Sequence, residues 1–154
     1  VPTTSATTSQ AERALPRAWI ASTATVHPAR PAGTAISRAS AAWAVFDQVA
    51  AVSPEELRKG PRGGGRDRTK MVGHVFEAEA GYARYLGIKH KPPQADDLAA
   101  AAELRAAIVE VLGRPWDGTP YRERASWPPR YAARRLAWHA LDHAWEMEDR
   151  ATPG

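Results

Sequence analysis

The chain contains no cysteine, which excludes disulfides, cysteine-ligated zinc ribbons and catalysis by a thiol of the protein's own. Any sulfur nucleophile must come from a separate molecule. No stretch approaches the roughly 18 consecutive apolar residues that a spanning helix needs, and the first residues lack the continuous apolar core of a secretory signal. A cytoplasmic location with no membrane partner is expected. A concentrated basic block is missing too: the net charge is +4 and the isoelectric point about 9.8, but the arginines are scattered. The densest basic cluster, Lys59 to Lys70, is interleaved with glycine and followed by Glu77 and Glu79. Such charge is a solvated surface, so nucleic acid is not expected as a partner. Gly63, Gly64 and Gly65 have no preceding strand and no Gly-Lys-Ser/Thr ending, and read as a hinge rather than a phosphate loop.

What is present is enough apolar material for one core: 154 residues, 44% hydrophobic, with six tryptophans. Residues 1 to 33 are rich in Thr, Ser, Ala and Pro without a helical period and read as an irregular, poorly ordered N-terminal arm. From Thr34 the residues Ile36, Ala39, Trp43, Phe46, Val49 and Ala50 recur at helical spacing, predicting helix 1 over about 35 to 51. Ser53, Pro54, Glu55 and Glu56 read as an N-cap, first-turn proline and dipole-matched acids starting one short turn. Asp67 is a candidate cap for helix 2, which runs to about Leu86 and stops at Gly87, with Met71, His74, Val75, Ala78, Tyr82 and Tyr85 on one face. Asp96 or Asp97 can cap helix 3, whose apolar period is Leu98, Ala101, Leu104, Ile108, Val111 and Leu112, ending at Gly113. An irregular linker follows to Trp127, and prolines 128 and 129 open helix 4, which runs to about Asp149.

Helix 4 carries two apolar stripes, Tyr131, Trp138 and Trp145 with Leu141 nearby, and Ala132, Leu136, His139, His143 and Met147. Both are expected to pack in the core, so that helix 4 is covered on several sides. Four amphipathic helices without a convincing strand or repeat predict an all-α four-helix bundle over 34 to 150, with a long connection between helices 1 and 2 and a short tail at 151 to 154.

His139 and His143 are one turn apart on helix 4 and project from nearly the same side. With His74 from helix 2 they form a candidate three-imidazole site for a divalent ion, Zn²⁺ first and Ni²⁺ or Fe²⁺ as alternatives, with a coordination position left open. Asp142, Glu146 and Glu77 border these histidines as candidate orienting or proton-carrying groups. The other two histidines, His27 and His90, fall in loop-like segments and are expected to be exposed.

The segment Lys70-Met71-Val72-Gly73-His74-Val75, followed by a last helix bearing His139-Ala140-Leu141-Asp142-His143, resembles the DinB-like superfamily. That group includes thiol-dependent transferases and the metal-binding domain of mycothiol-dependent maleylpyruvate isomerase. The likeness covers about 35 to 150. It implies a four-helix bundle whose metal is held by His74, His139 and His143, and activation of a low-molecular-weight thiol towards an electrophilic small molecule. A metal-dependent hydrolase and a non-catalytic bundle that binds a ligand or partner are the competing readings, and a homodimer through helix 1 or helix 4 fits the aromatic content.

Overall fold

The computed structural model describes residues 32–60, 65–123 and 126–151. Its four helices are α1 (Ala32–Val52), α2 (Arg68–Tyr85), α3 (Leu98–Gly113) and α4 (Pro129–Ala151), and the described residues contain no strand. None of these helices is long and apolar enough to cross a membrane. The expected arm at 1 to 33 falls, apart from its last two residues, outside the described residues, as do the last three residues of the expected tail. α1 starts at Ala32, three residues before the expected start at about 35, because a helix's first turn needs no buried face. Ser37 Oγ supports that turn by donating to the Gly33 carbonyl at 2.7 Å.

The most extensive packing is between α1 and α4, and α2 lies against α4 next. The α1 face is the one its spacing predicts, with Ala39, Trp43, Phe46 and Val49 buried. On α4 the buried face is Ala132, Ala133, Leu136, His139, Ala140, His143, Ala144 and Met147. Its alanines are the small side chains that let helix axes approach closely. The aromatic stripe is not core. Tyr131, Trp138 and Trp145 are 38%, 52% and 57% exposed, which corrects the expectation of a helix covered on several sides. On α4 the small side chains take the interior, and a tryptophan cannot share a seam cut for alanine. Leu98 is likewise exposed, since it opens α3 before the helix reaches its neighbours.

The α1 to α2 connection also differs from its sequence reading. Ser53 starts no new turn; it is buried and closes α1, its hydroxyl donating to the Val49 carbonyl at 2.7 Å. Glu55 serves the next helix instead. Its carboxylate accepts from the Thr69 backbone N–H at 3.3 Å, the Thr69 hydroxyl at 2.8 Å and Arg68 Nε at 3.2 Å. Those bonds satisfy the amino end of α2, where Asp67 occupies the capping position without a side-chain hydrogen bond. The Thr69 hydroxyl, above all, holds the Glu55 carboxyl below its ordinary range. α3 is capped as predicted, with Asp97 Oδ1 accepting from the Ala100 N–H at 3.0 Å. Further along the connection Leu57 is buried, and Arg58 caps the end of α4, its N–H donating to the Arg150 carbonyl and its guanidinium to that of Asp149.

α2 has a second buried stripe, Val72, Phe76, Glu79 and Ala83, that the helical period does not reveal. Glu79 hides it, because a carboxylate interrupts the apolar pattern, yet that residue is only 1% exposed. Arg105 of α3 resolves the contradiction. Its Nε and Nη2 donate to the two Glu79 oxygens at 3.0 Å each, while Nη1 donates to both oxygens of Asp47 on α1 at 2.9 Å. The guanidinium carbon also lies 5.3 Å from the Trp43 ring centroid and 5.4 Å from that of Phe76. Burial pushes the Glu79 carboxyl above its ordinary range, opposed by Arg105. Removing Arg105 alone would leave that carboxyl buried and unpaired, so Arg105→Met is expected to cost about 3–5 kcal/mol. Glu79→Met together with Arg105→Met should recover most of the loss. Urea denaturation of both variants measures it, and a single variant as stable as the parent would contradict this account.

Candidate metal centre

His74 stands on the second turn of α2, while His139 and His143 stand one turn apart in the middle of α4. The structure brings the three together: one ring nitrogen from each lies within 4.8 Å of those of the other two. The ring centroids of His74 are 5.3 Å from His139 and 4.9 Å from His143, and the α4 pair are 4.6 Å apart. Nitrogens held tetrahedrally on Zn²⁺ at about 2.1 Å sit about 3.4 Å from one another. His139 and His143 are buried and His74 is half-buried, so the cluster has one open edge.

Protonation favours ligation. Burial first, then the neighbouring His143 and His74 and the Arg135 guanidinium, depress the His139 imidazolium to about 4. Burial, Arg66 and His143 lower His74 in the same direction, against opposing pulls from Glu77 and Glu146. A neutral imidazole keeps the lone pair that a metal requires. Glu146 Oε2 lies 2.8 Å from His143 Nδ1, and Oε1 lies 2.8 Å from Arg150 Nη2. A carboxylate can only accept, so Nδ1 of His143 carries the proton and its Nε2 is left free for a metal. His139 Nδ1 is buried without a hydrogen-bond partner. An unsatisfied buried polar atom costs about 1–3 kcal/mol, and among the described residues no group relieves it. The donor set, the shared proximity and this orphaned nitrogen all fit a divalent ion.

Of the three bordering acids, only Glu146 reaches a histidine. Among the described residues, Glu77 and Asp142 hydrogen-bond to no histidine ring. The His139 side of the site is aromatic: Tyr82 meets that ring edge-on at 5.7 Å, and Trp127 lies 5.3 Å from Tyr82 and stacks on Tyr85 at 4.2 Å. The Trp127 N–H donating to the Tyr85 carbonyl at 3.0 Å holds the linker there. The apolar period of α2 places Tyr82 on the correct face. It says nothing of Trp127, Arg135 and Arg150, although Arg135 is one turn before His139 and Arg150 one turn after Glu146, a spacing visible in the sequence. Of the remaining histidines, His27 lies outside the described residues. His90 is half-buried rather than exposed, its Nδ1 2.6 Å from the Lys91 carbonyl. A hollow of about 750 Å³, lined by Trp43, Asp47, Phe76 and Arg105 among others, opens between α1, α2 and α3. It contains no histidine, and its α2 residues Val72 and Phe76 lie roughly 160–200° around the helix from His74.

The described chain is thus an all-helical protein with a three-histidine cluster able to hold a divalent ion. No family model, curated protein or solved structure matches it.

The depressed His139 makes the metal-free protein sensitive to acid. Folded, that ring takes its proton near pH 4, whereas the unfolded ring takes it near pH 6.5. Between those values the unfolded chain binds more protons, so stability falls as pH falls through this window. With chelator present, the loss of denaturation free energy from pH 7 to pH 4.5 should be smaller in His139→Gln than in the parent. An equal or larger loss in the variant would count against the assignment.

Proposed function

We propose that this chain is a metal-dependent enzyme of the DinB-like type, a four-helix bundle in which His74, His139 and His143 hold a divalent ion, with Zn²⁺ the first candidate. The convergence of the three ring nitrogens within 4.8 Å, from two separate helices, carries the reading. An ion there supplies Lewis acidity and lowers the pKa of a bound thiol or water. The chain's own part is to present three imidazoles, to keep those of His74 and His139 neutral through burial, and to fix that of His143 through Glu146. Arg150 orients that carboxylate in turn, and Tyr82 and Trp127 cover the His139 side against solvent. His74, half-buried, marks the side from which a small molecule reaches the centre. Because the chain has no cysteine, a thiol nucleophile would be a separate molecule; in this reading the nucleophile is a low-molecular-weight thiol or water and the second substrate an electrophilic small molecule.

Metal content measured by mass spectrometry, on protein purified without a histidine tag, tests the centre. The parent should carry about one equivalent and His139→Ala/His143→Ala close to none; equal contents would falsify the proposal. Glu146→Gln keeps its shape but weakens the hold on His143 and should reduce metal affinity by about 10–100-fold. An unchanged affinity would remove Glu146 from the site. With the metal-loaded protein, transfer of a small thiol to an electrophile supports the transferase, and turnover without thiol supports a hydrolase. Unchanged thermal stability on adding metal or chelator would favour the non-catalytic bundle, since an ion bound only to the folded state must raise stability.

A further inference from the structure

The exposed surface of α4 is symmetric about Trp138. Tyr131 stands seven residues before it and Trp145 seven after; Arg134 stands four before and Asp142 four after, and none of the five is buried. At about 100° per residue the three aromatics fall within about 20° of one line, with Arg134 and Asp142 about 40° to either side of it. The row spans about 21 Å at 1.5 Å per residue. Charge follows the same division. The exposed charged residues of α4 before Trp138 include Arg130 and Arg134, and those after it include Asp142, Glu148 and Asp149. Beside the row, a groove of about 620 Å³ between α1 and α4 is lined by Ala35, Arg38, Arg134 and Ala137 among others.

We propose that this face joins two copies of the chain, with α4 running antiparallel to its counterpart across a two-fold axis at Trp138. A two-fold contact requires a surface complementary to itself. In this register Trp138 meets the partner's Trp138, Tyr131 meets the partner's Trp145, and Arg134 meets the partner's Asp142, the last two pairs occurring twice. A parallel pairing would set arginine on arginine and aspartate on aspartate, so charge selects the orientation. Three large aromatics at the centre with charges around them have the composition of a specific interface. The histidines lie roughly 100–140° around α4 from this row. The contact therefore leaves the metal centre open, and its test stands apart from that of the metal reading.

Sedimentation velocity on the full chain over a range of concentrations provides the test. The parent is expected to dimerise, and Trp138→Glu to raise the dissociation constant at least about a hundredfold. Arg134→Asp and Asp142→Arg should each weaken self-association about tenfold or more, because each sets like charges opposite one another twice. Mixed in equal amounts, those two variants should form a heterodimer in which both facing pairs are again opposite in sign. Circular dichroism checks that each variant folds; none of the three positions is buried. A parent monomeric at every concentration, whether its row is free or covered by its own residues 1–31, overturns the proposal. So does a dimer indifferent to Trp138→Glu, or a mixture that associates no better than its components.

Discussion

The orientation of the site rests on a half-buried arginine that does not touch it. Arg105 reaches from α3 to Glu79 of α2 and Asp47 of α1 at once, and a bidentate fork fixes rotation as well as distance. Glu79 is five residues past His74, roughly 140° further round the helix. Holding Glu79 towards α1 and α3 turns His74 towards α4. Two buried charges recover in their attraction little more than their desolvation costs, so the pair's contribution is orientation more than net stability. An apolar pair in its place would permit α2 to roll, and the third imidazole would roll with it.

α4 is the other half of the arrangement, and its sides do different work. Alanines and leucine on one side allow close approach to the rest of the fold, and at the edge of that side facing α2 stand His139 and His143. Burial there keeps His139 neutral, while Glu146, tied to Arg150, supplies the acceptor that fixes the His143 tautomer. Both effects serve a nitrogen donor set. The long α1 to α2 connection contributes at each end, with Glu55 satisfying the start of α2 and Arg58 the end of α4. The two helices that carry the histidines are thus terminated by one segment.

Much of this arrangement is legible in the sequence. Helical spacing locates all four helices within three residues, and the one-turn interval of His139 and His143 announces that they share a side. The three-residue step from His143 to Glu146 announces a possible partner. Glu79 and Arg105 are not legible, since each is a charged residue inside an otherwise apolar stripe. Only a partner from another helix makes burial of either tolerable. Ser53 and Glu55 mislead for a related reason: residues that suit the start of a helix are used to end one and to cap another from a distance. The aromatic stripe misleads because period records which residues share a side, not which side faces inward.

The sequence by itself determined what is local: helix positions, the alignment of the two α4 histidines, the lack of a thiol and the scattering of charge. These follow from covalent spacing and side-chain chemistry, which the chain carries wherever it folds. Tertiary structure alone decided that His74 meets the α4 pair, that Glu79 is buried, and that alanines rather than tryptophans face the interior of α4. Each of those is a choice between two sides of a helix, settled by volume and by where a charged group finds its partner, and such choices exist only once the helices pack.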